Sequence, residues 1–501
     1  MIYRLRILLM LCLIFPAQVD AQEKHGHGVN ERLGEVSFPV SCKAPVQAEF
    51  NRGVALLHSF AYEAAAKSFR DVAEHDPGCA MAHWGIAMTY FHQLWQPPIA
   101  ADSFAAARQE IEEGLRIGAA TDRERQFIRA AGLIFADSAT PYETRALKYE
   151  QAMAVLASEN RKDSESQVFY ALALLANASP SDREHVRQKK AVDLLEPLFQ
   201  SSPHHPGVAH YLIHACDNSE LAPQGLPAAR LYSQIAPSAP HALHMPSHIF
   251  TRLGLWEDSI ASNAAARDAA HRDGDAGEEL HSMDYLVYAY LQLGRDAEAA
   301  QVIEQLKAMK NLNPGDFKIA YASTAMPVRY LVERAQWAEA GAVLTPAGTP
   351  LQVTAIAIWA EGLGLARSGR ASAAGKQTAE LQLAELKRIE EELRAAGNAY
   401  WARQVSVMSR EVMAWAAQAE RRNDDGARLM REAADAEDSI EKLPVTPGPI
   451  VPAREQLGEL LLEQGHPDLA AKEYRAVLSS APGRRGAIRG LERASAKMRQ
   501  N

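Results

Sequence analysis

The residues best suited to chemistry lie between His204 and Trp256, where the chain reads HHPGVAHYLIHACDN, then a connection containing proline and glycine, then APHALHMPSHIFTRLGLW. Seven of the 17 histidines fall between His204 and His248. His210 and His214 recur 34 residues later as His244 and His248, and Pro206 recurs as Pro240. Rings four residues apart share one face of a helix. Packed helices sit about 8–10 Å apart, so imidazoles from neighbouring helices can converge on one ion. Histidine with aspartate suits zinc or another divalent transition metal, whereas calcium and magnesium prefer all-oxygen sites. The expected ligands are His210, His214, His244 and His248, with Asp217 or Asp284 as a further ligand or as the acceptor that fixes an imidazole tautomer. Zinc is the first choice of metal; copper, iron and manganese are also admissible.

Two other uses of the same rings stand beside this one. They can form a hydrogen-bonded polar network, or a pH-sensitive surface for a peptide carboxylate. The H-E-x-x-H arrangement of zinc proteases is absent, because Tyr211, Leu212 and Ile213 separate one pair and Met245, Pro246 and Ser247 the other. Pro246 falls inside an expected helix, where proline removes a backbone hydrogen bond and costs about 3 kcal/mol. Alternatively the helix starts late, with Pro246 in its first turn and His244 on the preceding loop.

The elements that must carry these residues are helices in a repeat array, since a recurrence near 34 residues marks stacked helix-turn-helix units. Phe50, Val54 and Leu57 share one helical face, and a second helix carries Ala65, Phe69 and Val72 before Asp76 and Pro77 end it. The stretch 283–303, MDYLVYAYLQLGRDAEAAQVI, has the same pattern, with Tyr290, the turn glycine Gly294 and the small Ala299. Residues 353–441 read as longer helices with charged, solvated faces. PVTPGPIVP, 444–452, reads as a linker ahead of a last repeat over 454–478. Strand signals are nearly absent, so the expected fold class is all-α.

These motifs resemble the tetratricopeptide repeat superfamily, with units at roughly 45–78, 79–98, 206–239, 240–273, 280–310 and 451–482. FNRGVALLHSF, CAMAHWGIAMTYFHQLW, HPGVAHYLIH, HALHMPSHIFTRLG and MDYLVYAYLQLG are similar more narrowly to a family of exported bacterial tetratricopeptide proteins with no established activity. The resemblance implies an α-solenoid whose first helices line a concave groove through repeat positions 2, 5, 9, 12 and 13. Registered on Gly254 and Trp256, those positions hold His241, His244, His248, Thr251 and Arg252. The preceding unit then offers Gly207, His210, His214, Asp217 and Asn218, and the following one, registered on Gly294, offers His281, Asp284, Tyr288, Leu291 and Gln292. His241, His281, Tyr288 and Arg252 are thus groove residues beside the metal candidates. In the amino-terminal units the same registration puts Trp84, Met88, Phe91 and His92 on the groove, with Trp95 just beyond. Aromatics there suit an apolar or extended peptide, or they pack between repeats or beneath a covering leader. His58 and His83 read as structural.

Composition narrows the partners. The net charge of −9 has both signs interspersed, with no basic stripe for nucleic acid. Residues 1–21 read as an export signal, with Arg4 and Arg6 ahead of an apolar run from Ile7 to Phe15 and Val19-Asp20-Ala21 as the cleavage site. That run is too short to span a bilayer, and no later stretch qualifies. The expected location is periplasmic or secreted. In an oxidising compartment Cys42, just before the first repeat, and Cys79, at the boundary of the second, are expected to form a disulfide, leaving Cys216 free. The expected divisions are a signal peptide over 1–21, a disordered leader over 22–44, amino-terminal repeats over 45–205, and central repeats with the histidine-rich groove over 206–345. A long-helix segment over 346–442 and a last repeat with a capping helix over 443–501 follow. Two functions fit: a binding or scaffold protein gripping a peptide or protein in its groove with a His/Asp metal site, or a metal-dependent enzyme, hydrolytic or oxidative, using that site. No nucleophile–base motif and no nucleotide or flavin fingerprint favours the second.

Overall fold

Short turns convert the periodicity into helix pairs. Gly254 ends the Pro246–Arg252 helix at φ 69°, where a side chain would be strained and would also run into the Pro482 carbonyl. The chain then reverses into Trp256–Asp273. Helix pairs recur through the chain, Gln47–His58 with Tyr62–His75, Pro206–Ala215 with Ala222–Ile235, Ala276–Leu293 with Asp296–Ala308, and Ala453–Glu463 with Pro467–Ser480, and positive-φ glycines again make the turn in the last two, at Gly294 and Gly465. Each pair buries an apolar stripe against the next, as Leu280, Leu286 and Val287 do against Trp256, Ile260, Val302 and Ala322. The computed structural model describes residues 31–94, 99–368 and 373–500; among them there is no strand, and the architecture is an α-solenoid of stacked helix-turn-helix pairs. No helix among the described residues is long and apolar enough to cross a membrane. Residues from Arg32 onward form one compact unit.

Three features depart from the sequence-based expectations. The proposed signal segment and residues 22–30 of the leader lie outside the described residues, but from Arg32 the leader is ordered. The Arg32 amide donates to Ser238 Oγ at 2.9 Å, the Glu35 amide donates to the His204 carbonyl at 2.9 Å, and Phe38 is fully buried. Phe38 sits 5.0–5.4 Å from the rings of Phe50, Trp84 and Phe127, with the Arg123 guanidinium 4.2 Å over its face. Burial of this ring among aromatic side chains offsets part of the entropy lost in ordering the segment.

The second departure is the stretch expected to be a linker. Val445, Thr446 and Ile450 are buried, and Tyr285 Oη lies 3.2 Å from the carbonyls of Pro444 and Thr446. Arg329 donates to the carbonyls of Gly448 and Pro449. Proline-rich backbone cannot satisfy its own carbonyls in a helix, and here buried side chains of the central repeats do so. The segment is a strap across the first helices.

Third, the helix around Pro246 neither runs through nor starts late. It breaks at Met245 into Pro240–His244 and Pro246–Arg252, both ends keeping right-handed backbone. His244 therefore ends a helical turn instead of lying on a loop.

Cys42 and Cys79 are joined by a disulfide with Cα atoms 4.9 Å apart, and Cys216 is a buried free thiol whose ionisation burial pushes up to about 12. Cross-linking residues 37 apart limits the unfolded chain and is worth roughly 3–4 kcal/mol. The Cys42→Ser/Cys79→Ser variant should unfold at lower temperature than wild type under oxidising conditions, and reductant should lower the wild-type melting temperature towards that of the variant.

Candidate metal centre

Three neighbouring first helices carry the imidazoles. The Pro206–Ala215 helix begins with Pro206 in its first turn, and the His205 ring caps it by accepting the Val208 N–H at 3.2 Å. It presents His210 and His214. The broken helix presents His241 and His244 from its first segment and His248 from its second. Ala276–Leu293, capped by the Asp275 carboxylate, presents His281. All six rings are buried, the most open, His214, at 9% exposure.

The rings fall into two sets of three. In His210, His214 and His241, as in His244, His248 and His281, one ligand-type atom from each residue lies within 4.8 Å of the others. His210 Nε2 faces His214 Nε2 at 3.0 Å, and His244 Nε2 faces His248 Nε2 at 3.0 Å. Zinc–imidazole bonds of about 2.0–2.1 Å let two nitrogens on one ion lie up to about 4.2 Å apart, so either pair fits a shared ion. The four preferred ligands thus divide between two sets, and His241 and His281, read from the sequence as groove residues, complete them.

The outer nitrogens decide what the inner ones are. His248 Nδ1 lies 2.8 Å from Asp217 Oδ2, and His244 Nδ1 lies 2.7 Å from Asn263 Oδ1. The Asn263 amide is oriented by its own donation to the Ser259 carbonyl at 2.8 Å, so its oxygen faces the ring. Both partners accept only, so both Nδ1 atoms carry the proton. In neutral imidazole that leaves a lone pair on Nε2, and the lone pairs of His244 and His248 point at one another. His210 is held in the same way, its Nδ1 donating to the His58 carbonyl at 2.6 Å. Burial opposes a positive ring: it holds His210, His214, His244 and His281 well below the usual imidazole range, and His248 falls to about 4 despite the Asp217 carboxylate.

Asp217 is the acceptor behind His248 and lies outside both sets of three. Burial opposes its ionisation, but Lys442, Arg252 and His248 hold it well below its ordinary range. Lys442 Nζ is 2.8 Å away and Arg252 Nε 2.9 Å. Arg252 also reaches Glu441 at 3.1 Å, so it joins this network to a second carboxylate. Asp284 lies outside both sets of three and faces Arg329, 3.6 Å away in the fully buried interior, and burial raises its carboxyl to about 6 against that guanidinium. Tyr288 lines a cavity of about 380 Å³ together with Tyr321, Trp359, Trp401, Arg252 and Lys442.

The amino-terminal groove is filled. Trp84, Met88 and Phe91 are buried, Trp84 against the leader's Phe38 and Phe91 against Tyr149. His92 stacks on Tyr62 at 4.0 Å. Trp95 lies outside the described residues. The leader's Phe38 covers the Trp84 end of this groove.

No protein-family model and no curated protein matches the chain. Solved structures similar to it include the P58(IPK) TPR domain, at 12% identity over 91% of this chain and 99% of that one, with a TM-score of 0.23. The human IFIT1 dimer with m7Gppp-AAAA matches at 11% identity over 84% of this chain and 90% of that one, TM-score 0.38. The APC/C hetero-tetramer Cut9–Hcn1 matches at 11% identity over 91% and 77%, TM-score 0.34. Likenesses this distant say nothing about ligands or chemistry.

Sequence reasoning took His58 as structural, which the structure bears out, but missed its partners Glu165 and Tyr211. Glu165 is a lone acid in the apolar helix Ser164–Ala176, and His58 ends an apolar helix of its own. Glu165 lies 2.9 Å from His58 Nε2 and 3.0 Å from His205 Nε2, while His58 Nδ1 meets Tyr211 Oη at 3.0 Å. Every ring nitrogen in this third cluster has a protein partner, so it is a structural tie that needs no ion. Gly207 shows its cost in space, because a Cβ there would press into the His58 ring at 2.7 Å. Glu165→Ala leaves two buried imidazole nitrogens without partners, and should lower unfolding free energy by about 2–4 kcal/mol. Urea denaturation checks this, and Glu165→Gln should lose less because an amide still reaches one ring.

Proposed function

We propose that this is an exported tetratricopeptide-type scaffold protein of the bacterial kind its motifs resemble, with a divalent transition metal held on the histidines of its central repeats. The observation that carries the reading is the His244–His248 contact. Two Nε2 lone pairs facing at 3.0 Å in a dry interior repel unless a cation lies between them, and Asp217 and Asn263 leave neither ring a proton to spare on that side. An all-imidazole donor set suits zinc first, with copper next.

The metal's first role is to fasten first helices of successive repeats, adding to the His248–Asp217 and Arg252–Asp217 contacts that already join them. A peptide or protein partner then meets a surface of fixed curvature. Its contact is the cavity of about 380 Å³, where Tyr288, Tyr321, Trp359 and Trp401 offer apolar faces and Arg252 and Lys442 offer charge. Metal-dependent catalysis is the second reading. In its favour, Tyr285 Oη lies 3.4 Å from His248 Nε2, close enough to bond a ligand on the ion. Against it, the imidazoles are buried and connect to the cavity through side-chain contacts, Arg252–Asp217–His248 and Thr446–Tyr285–His248.

Plasma mass spectrometry on mature protein purified without chelator, beside the His214→Ala/His248→Ala double variant, tests the metal. Near-stoichiometric metal in wild type and its loss in the variant is the expected outcome. A wild-type protein that stays metal-free after exposure to zinc, copper, iron and manganese would sink the proposal.

A further inference from the structure

We infer that the central repeats hold two ions, each on three imidazoles, so that the centre is a pair made by repeat duplication. The inference rests on the metal reading above and adds its stoichiometry and ligand sets.

The first support is the register. The first set combines the histidines at positions 5 and 9 of one repeat, His210 and His214, with the position-2 histidine of the next repeat, His241. The second set repeats this rule one unit later: His244 and His248 at positions 5 and 9, and His281 at position 2 of the unit that follows. A solenoid places equivalent residues in equivalent surroundings, so a site built by one pair of neighbouring repeats is built again by the next. Both sets meet the same spacing, ligand-type atoms within 4.8 Å of each other and an Nε2–Nε2 contact of 3.0 Å.

The second support is that the array stops where the ligands stop. Below the first set, position 2 is Gly207, and the space a histidine would fill there is taken by the His58 ring. Above the second set, positions 5 and 9 are Asp284 and Tyr288; Asp284 turns to Arg329, and the Tyr288 ring packs on Trp256 at 5.5 Å. Neither end can extend the series.

Third, the two sets are neighbours. The His214 and His248 rings are 6.1 Å apart and the His241 and His244 rings 6.2 Å, while His244 and His281 within one set approach to 4.3 Å. Six imidazoles gathered at this density exceed what one tetrahedral ion uses. Divided three and three, they leave each ion a coordination position for a small exogenous ligand. Phe60 closes the first set, its ring 4.5 Å from His210 and 5.4 Å from His241, and Tyr285 borders the second.

Zinc is the probe. Chelator-stripped, full-length mature protein is dialysed against excess zinc and then against metal-free buffer, and bound zinc per chain is counted by plasma mass spectrometry. Two zinc ions per wild-type chain are expected. His214→Gln, in the first set, and His281→Gln, in the second, should each retain about one, and the double variant close to none. One ion per wild-type chain overturns the pair while leaving the metal reading intact; none overturns both. Loss of both ions in a single variant whose circular dichroism and melting curve match those of apo wild type also overturns it, because a single shared centre would behave that way. The wild-type count needs no variant, so a substitution that fails to fold leaves the test standing.

Discussion

Each buried imidazole that donates outward is fixed in what it offers inward. His248 gives its Nδ1–H to Asp217, His244 to Asn263 and His210 to the His58 carbonyl, and these three bonds aim three lone pairs into the middle of the central repeats. Asp217 can play its part because Lys442 and Arg252 keep it ionised. Asn263 can because Ser259 fixes its amide. The contrast with His58 and His205 is instructive: those rings spend their nitrogens on Glu165, Tyr211 and Val208, and the same residue type becomes a structural tie.

Distant parts of the chain meet at this constraint. The first helix pair supplies the His58 carbonyl to His210 across 152 residues, and Lys442, just ahead of the strap, reaches Asp217 across 225. The leader closes the amino-terminal units with Phe38, and the strap closes the central ones through Tyr285 and Arg329. The histidines are therefore enclosed by the protein's own chain, and the open cavity lies beside them. Removing one partner from a buried network of this kind is costly, because it leaves the other charge buried without compensation.

Much of the architecture was legible because repeats write their period into the sequence. The 34-residue recurrence of the His pairs, the turn glycines Gly254 and Gly294 and the Pro206/Pro240 match all survive as helix pairs and aligned rings. What was not legible depends on approach between elements far apart in sequence. His241 and His281 joined the pairs of a preceding repeat through the packing of neighbouring helices, which spacing within one helix does not report. Phe38 filled the groove that Trp84 was expected to line, and PVTPGPIVP became a strap because buried Tyr285 and Arg329 met its carbonyls. Asp284 had the right register but a stronger partner in Arg329. The break at Met245 lay between the two readings of Pro246, since a proline that cannot serve the preceding turn can still open the next.

The most direct measurement is the zinc K-edge X-ray absorption spectrum of stripped protein reloaded with zinc. A nitrogen shell at about 2.0–2.1 Å, with the outer-shell scattering of about three imidazole rings per ion, is the predicted result. A shell of six oxygens, the spectrum of zinc on surface carboxylates, or a shell containing sulfur would contradict it.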